Sequence, residues 1–354
     1  MKLAKITKRG IKTRLLIIGI LLITYFNINM YFNHHINSEL NRLKKDGEIT
    51  HLKELVRAPV RGDNRANLYF GAGEILDIKR TAAPPLDGDI IKYYETNKDK
   101  IKVEMERNRI ALDIMDRVST KSKFSFNLDY EKGFAMKVPN YLQLRSLAQL
   151  LEMKAIDEIN SGNYEQAVIR CAQCLALGRD IGEENGCLIN HMISIAIIRI
   201  GTAPLDYMMK NHIVTDYRPA VEQLNLIKGS LNTGFIKSLE AERAAGINFY
   251  ELLSSNEPVQ DSYLELGPLS KRYSRIIVKP YILADKLYYI KYMSNLIDQV
   301  QKNPSGEINQ PELSKYYIFS KILTPSIKRA AEQNTKIVNK CNELSGGLWN
   351  LNNQ

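Results

Sequence analysis

Cysteine, proline, glycine and tryptophan are all scarce in this 354-residue chain, which has four cysteines, twelve prolines, twenty glycines and one tryptophan. Those counts exclude a disulfide-dense mini-scaffold, a collagen-like chain and a low-complexity chain. The usual signatures of phosphate cradles and activated nucleophiles are also missing. There is no G-x-x-x-x-G-K-[ST], no G-x-S-x-G and no H-E-x-x-H, and Gly71-Ala-Gly73 lacks the third glycine of a dinucleotide fingerprint. Strictly alternating apolar runs are rare, so a sheet-based fold has little support. What remains, at 44% hydrophobic and 25% charged residues, is the composition of an ordinary core-forming protein.

The formal charge of +10 invites a nucleic-acid reading until it is divided along the chain. Lys2, Lys5, Lys8, Arg9, Lys12 and Arg14 supply six of those charges with no acid among them. This basic tail, residues 1–14, runs into an apolar stretch, residues 15–32, and no charge falls between Arg14 and Glu39. A helix over 15–32 covers about 27 Å, close to the hydrocarbon thickness of a bilayer. The stretch therefore reads as a transmembrane anchor. A cleaved signal peptide is the alternative, but the bulky segment Asn27-Ile-Asn-Met-Tyr-Phe-Asn-His-His35 lacks the small residues of a cleavage site. With the positive charge ahead of the span, the N-terminus is expected in the cytoplasm and the bulk of the chain outside it. Nucleic acid is thereby disfavoured, and the bilayer and another envelope protein are the expected partners.

Past a juxtamembrane linker or helix, residues 33–62, apolar residues recur at three-to-four spacing. The pattern predicts an all-α domain over 63–345, built of short helix hairpins, and a flexible tail over 346–354. Residues 120–138 break the periodicity and read as an ordered loop pinned by aromatics. Asn64 and Pro139 open predicted helices, Ser161-Gly162 closes one, and Pro219 sits where a missing donor costs nothing.

Ala155 to Leu175, with Gly162-Asn-Tyr164 across a turn, resembles a tetratricopeptide-type helix pair. The likeness covers one repeat and does not recur 34 residues to either side. A broader likeness involves Asp63-Asn-Arg-Ala-Asn-Leu-Tyr69, Phe124-Ser-Phe-Asn-Leu-Asp129, Leu142-Gln-Leu-Arg-Ser-Leu-Ala-Gln-Leu-Leu151, Glu240-Ala-Glu-Arg243 and Leu323-Thr-Pro-Ser326, in that order. With the anchor, these segments resemble a family of uncharacterised bacterial membrane-anchored helical proteins. That resemblance implies architecture and location, and no reaction.

Candidate chemistry is sparse. Cys171, Cys174, Cys187 and His191 have the C-x2-C-x12-C-x3-H spacing of a zinc site. The helices expected there separate Cys174 from Cys187 by about 10 Å along the axis, too far for one tetrahedral ion. Buried thiols are the simpler reading, and no metal or cofactor is expected. Glu240, Glu242 and Arg243 share a helix, either as a structural ion pair or as carboxylates of an envelope-polymer hydrolase. Lys271, Arg272, Arg275, Lys279, Lys286 and Lys291, interleaved with tyrosines, form a candidate surface for anionic lipid or glycan, against the alternative that the tyrosines pack inward. The leading function is protein interaction or scaffolding through helix-hairpin grooves.

Overall fold

A computed structural model describes residues 8–77, 90–130, 132, 136–184, 186–255, 272–304, 307–324 and 326–352. Eleven α-helices and no strand are found among them. They are α1 (Lys8–Lys45), α2 (Arg65–Glu74), α3 (Ile90–Arg107), α4 (Arg109–Asp116), α5 (Tyr141–Asn160), α6 (Tyr164–Glu183), α7 (Leu188–Lys210), α8 (Arg218–Ser254), α9 (Arg272–Lys302), α10 (Ile318–Leu323) and α11 (Ile327–Asn352). Among the described residues two helices, Lys12–Lys45 and Leu188–Lys210, are long and apolar enough by length and composition to cross a membrane. They differ in burial. The second is mostly covered and serves as the core, with α6 and α11 packed against it.

The α6–α7 contact is close because small residues line it. A Cβ added at Gly178 would lie 2.7 Å from Ile198 Cγ1 and 3.1 Å from the Ile198 backbone nitrogen. Gly178→Ala should therefore destabilise the fold by about 1–3 kcal/mol through overpacking, measurable by urea unfolding. The preceding hairpin turns at Gly162, whose φ of +77° suits glycine. The buried Ala155 of α5 and Ala167 of α6 belong to the same apolar cluster as α7 and α11 residues.

The aromatic loop packs as its composition predicts. Phe124 and Phe126 meet edge to face at 4.9 Å, and Phe126 stacks on Phe70 of α2. Asn64 caps α2 by accepting from Ala66 N, and it binds both Ser125 N and Ser125 O. Asn127, at φ +53°, brackets Val60 through its backbone N–H and carbonyl. Residues 131 and 133–135 of the expected loop lie outside the described residues.

Helix α1 joins the anchor (15–32) to the first part of the linker or helix expected over 33–62, continuing unbroken to Lys45 before a turn and a short 3-10 segment at Leu52–Leu55. Three expectations change. The three-to-four spacing of Ile101, Met105, Ile110, Ile114 and Val118, which taken alone predicts one buried stripe, loses phase at Asn108, which separates α3 from α4. Asn108 donates to the Glu104 and Asp77 carbonyls, and beyond it Ala111, Leu112 and Met115 are buried while Ile110 is exposed. Pro280, which suits a first helical turn and so reads as a helix start, instead lies inside α9, which has already begun at Arg272. Residues 346–352 are helix and not tail: Leu348 and Leu351 are buried, and Asn352 Oδ1 accepts from Tyr217 N at 3.0 Å.

Candidate functional site

The zinc-like set does not assemble. No group of three metal-ligating side chains occurs among the described residues. Cys171 and Cys174 are buried in apolar clusters, and burial pushes both thiols up. The Cys174 thiol donates to the Ile197 carbonyl at 3.5 Å. All four cysteines are free. His191 stacks on Phe235 and shares a 2.9 Å hydrogen bond between its Nε2 and Asn334 Oδ1. Asn334 donates through Nδ2 to Asn232, so its Oδ1 is the acceptor and His191 Nε2 carries the proton. Burial pulls the imidazole down to about 4, and it is neutral at physiological pH.

Glu240, Glu242 and Arg243 diverge instead of converging in one pocket. Glu242 Oε2 accepts from Leu188 N at 3.2 Å, at the start of α7, where a carboxylate suits the exposed N–H groups. Arg243 is fully buried and pairs at 2.7 Å with Glu48, just beyond α1. It also donates to Ser294 Oγ and the Ile49 carbonyl. Glu240 points to the same segment and is pushed up by burial, partly offset by Arg243 and the Ile49 N–H. The cluster is thus a clasp between α8 and the chain leaving α1.

The basic segment is not one surface. Lys271 lies outside the described residues, and Arg272 and Arg275 occupy the first turns of α9. Lys279 is half-buried and Lys291 exposed, whereas Lys286 is buried and pairs with Glu251 at 3.2 Å. Tyr289 and Tyr292 are buried among Phe235, Tyr250 and Met293. Asp285, the acid in the same stretch, accepts from Tyr250 Oη, Phe319 N and Ser320 N and thereby caps α10.

Two features escaped sequence reasoning. The first is a polar centre on α6. Asp180, wholly buried, takes a two-pronged ion pair from Arg65, a 2.9 Å bond from Tyr69 Oη and another from Arg179. One turn on, Glu184 accepts from Phe126 N at 2.9 Å and lines two shallow clefts, one with Arg57, Ser125 and Tyr130, the other with Thr233 and Lys237. Burial raises Glu184, with Phe126 N and Arg57 opposing. Arg65 and Tyr69, four apart on α2, share a face; their partner lies over a hundred residues away, so spacing alone could not reveal it. Glu184→Ala removes the pin on the aromatic loop. Residues 122–130 should then be cut faster by limited proteolysis, with about 1–3 kcal/mol of stability lost.

The second feature is a cleft of about 590 Å³ between α7 and α11. Ile195, Ala203 and Ile337 form its apolar part, and Arg199, Lys336, Lys340, Gln333 and Asp206 its polar part. Asp206 is held by Lys340 at 2.6 Å and Lys210 at 2.8 Å, which keep its carboxyl below the usual range despite some burial. Cations outnumber acids around this cleft, where Arg199, Lys336 and Lys340 face Asp206. Comparison of the chain with protein-family models, with curated proteins and with solved structures finds no match.

Proposed function

We propose that this chain is a single-pass membrane protein that holds a helical interaction domain at a fixed position beside the bilayer, outside the cytoplasm. The observation that supports it most is the double character of α1. Every large apolar residue from Leu15 to Ile23 is more than half exposed, yet Ile36, Leu40 and Leu43 of the same helix are buried against Ile247, Leu283 and Ile290. Bare apolar surface on that scale is stable in lipid, not in water. The buried end leaves no linker between anchor and domain.

In this reading the α7–α11 cleft receives an acidic segment of a partner protein, and the α5–α6 pair contributes the tetratricopeptide-like hairpin as packing. Carbonate washing of membranes should leave the protein in the pellet, whereas the chain lacking residues 8–31 should be released. A photo-crosslinking residue at Gln333 should capture a discrete partner in native membranes. Lys336→Glu should abolish that product while shifting unfolding by less than about 0.5 kcal/mol, as expected of an exposed substitution. A product that survives the charge reversal would place the partner elsewhere.

A further inference from the structure

The α7–α11 cleft already holds one carboxylate, and its placement determines how an acidic segment can enter. Arg199, Ala203 and Asp206 of α7 recur at three-to-four spacing, as do Gln333, Lys336 and Lys340 of α11. Each set therefore lies on one helix face, and the two faces form the walls. Asp206 is the single acid of the lining. It joins the walls, because its Oδ1 accepts from Lys340 Nζ at 2.6 Å. The two side chains are mostly covered, at 20% and 28% exposure, so the pair is less screened than one on an open surface.

Such a bridge is either a staple or a stopper, and the remaining partners of its two ends decide which. Asp206 Oδ2 is also held by Lys210 Nζ at 2.8 Å, one turn further along α7 and outside the cleft lining. Lys340 Nζ also meets both carboxylate oxygens of Glu343 at 3.2 Å. Opening the bridge thus strands neither charge. Asp206 keeps Lys210, Lys340 keeps Glu343, and one donor of Lys340 is released toward the cleft. Lys336, exposed and one turn before Lys340, has no ion pair among the described residues. The two lysines are about 6 Å apart along the axis, the separation of carboxylates four positions apart on a helix or two apart on an extended chain.

We propose that Asp206 is a built-in competitor for the acidic segment. At rest it occupies Lys340; a first incoming carboxylate meets Lys336, and a second displaces Asp206 onto Lys210. This rests on the reading of the cleft given above and adds the exchange that sets its affinity.

The test uses the full-length protein in a non-ionic detergent and a fluorescein-labelled hexaglutamate peptide, titrated by fluorescence anisotropy at about 50 mM salt, where charge pairing is weakly screened. Lys336→Glu should abolish binding. Asp206→Asn should tighten it about 5-fold, the amount expected when a competing ion pair of this kind is removed. Asp206→Ser, which deletes the same carboxyl through a different side chain, should do the same. In a Lys340→Met background the gain from Asp206→Asn should fall below about 2-fold, since there is no longer a lysine to compete for.

If both Asp206 variants bind no more tightly than the parent, the bridge is a staple and the proposal is overturned, while the cleft reading stands. An equal gain with and without Lys340 would mean that Asp206 acts through its charge alone, and the exchange is refuted. If the peptide fails to bind the parent and Asp206→Asn alike, or binds regardless of Lys336→Glu, the cleft reading falls and this proposal with it.

Discussion

Replacing Glu152 by glutamine should leave stability almost unchanged at pH 5 and raise it on the order of 4 kcal/mol at pH 8.5. Glu152 sits on α5, 3% exposed, with Oε2 lacking a hydrogen-bond partner and with the Cys171 and Cys174 thiols nearby. Burial alone pushes its carboxyl up to about 8. An unfolded glutamate ionises near pH 4.3, so between that pH and about 8 the folded state keeps a proton that the unfolded state releases. Stability is therefore full below the unfolded value and declines as pH rises, until the folded group also ionises near 8. Glutamine has nearly the same shape and no such titration. Urea unfolding of both proteins at the two pH values measures the difference directly. A pH-independent gap would mean that the folded carboxyl ionises at the same pH as the unfolded one and would overturn this prediction.

Arg243→Met should cost about 3–5 kcal/mol, because Glu48 is then left as a buried charge with no partner. The double variant Glu48→Gln, Arg243→Met should recover most of that loss, which distinguishes an orphaned charge from lost packing. Glu48 follows α1 by three residues, so the single variant should also speed proteolysis between Lys45 and Leu52 in the membrane-reconstituted protein. Equal losses in the single and double variants would show that the arginine stem, and not the ion pair, carries the effect.

The helical class was legible because apolar spacing and turn residues agree over most of the chain. Asn64, Gly162 and Pro219 each occupy the boundary that their chemistry predicts. Reading failed where a boundary residue serves packing instead. Gly346-Gly347 reads as a helix stop, yet α11 continues through it, and a Cβ at Gly347 would collide with the Met209 side chain of α7. The glycine there permits a close approach between helices. Asn108 is the converse, since nothing in its neighbourhood distinguishes a helix break from a solvated asparagine until Asp77 is brought beside it.

The candidate sites were less legible, for a physical reason. Ion pairs such as Arg65 with Asp180 and Arg243 with Glu48 join residues far apart in sequence, and local charge patterns carry no information about them. The grouping Glu240, Glu242 and Arg243 was visible, but adjacent positions on a helix point different ways, to Ile49 and Glu48 on one side and to Leu188 on the other. The α7–α11 cleft combines residues from two helices more than a hundred positions apart and has no linear signature.

Helix α1 is about 57 Å long and unbroken, and it is clamped at one end. Such a rod is a lever: tipping it by about 10° swings its far end through roughly 10 Å. A long helix answers a thicker or thinner bilayer by changing its tilt. If α1 is the anchor proposed above, then with no hinge to absorb that rotation the α7–α11 cleft moves as the lipid moves, and its reach toward a neighbour on the same surface gauges bilayer thickness.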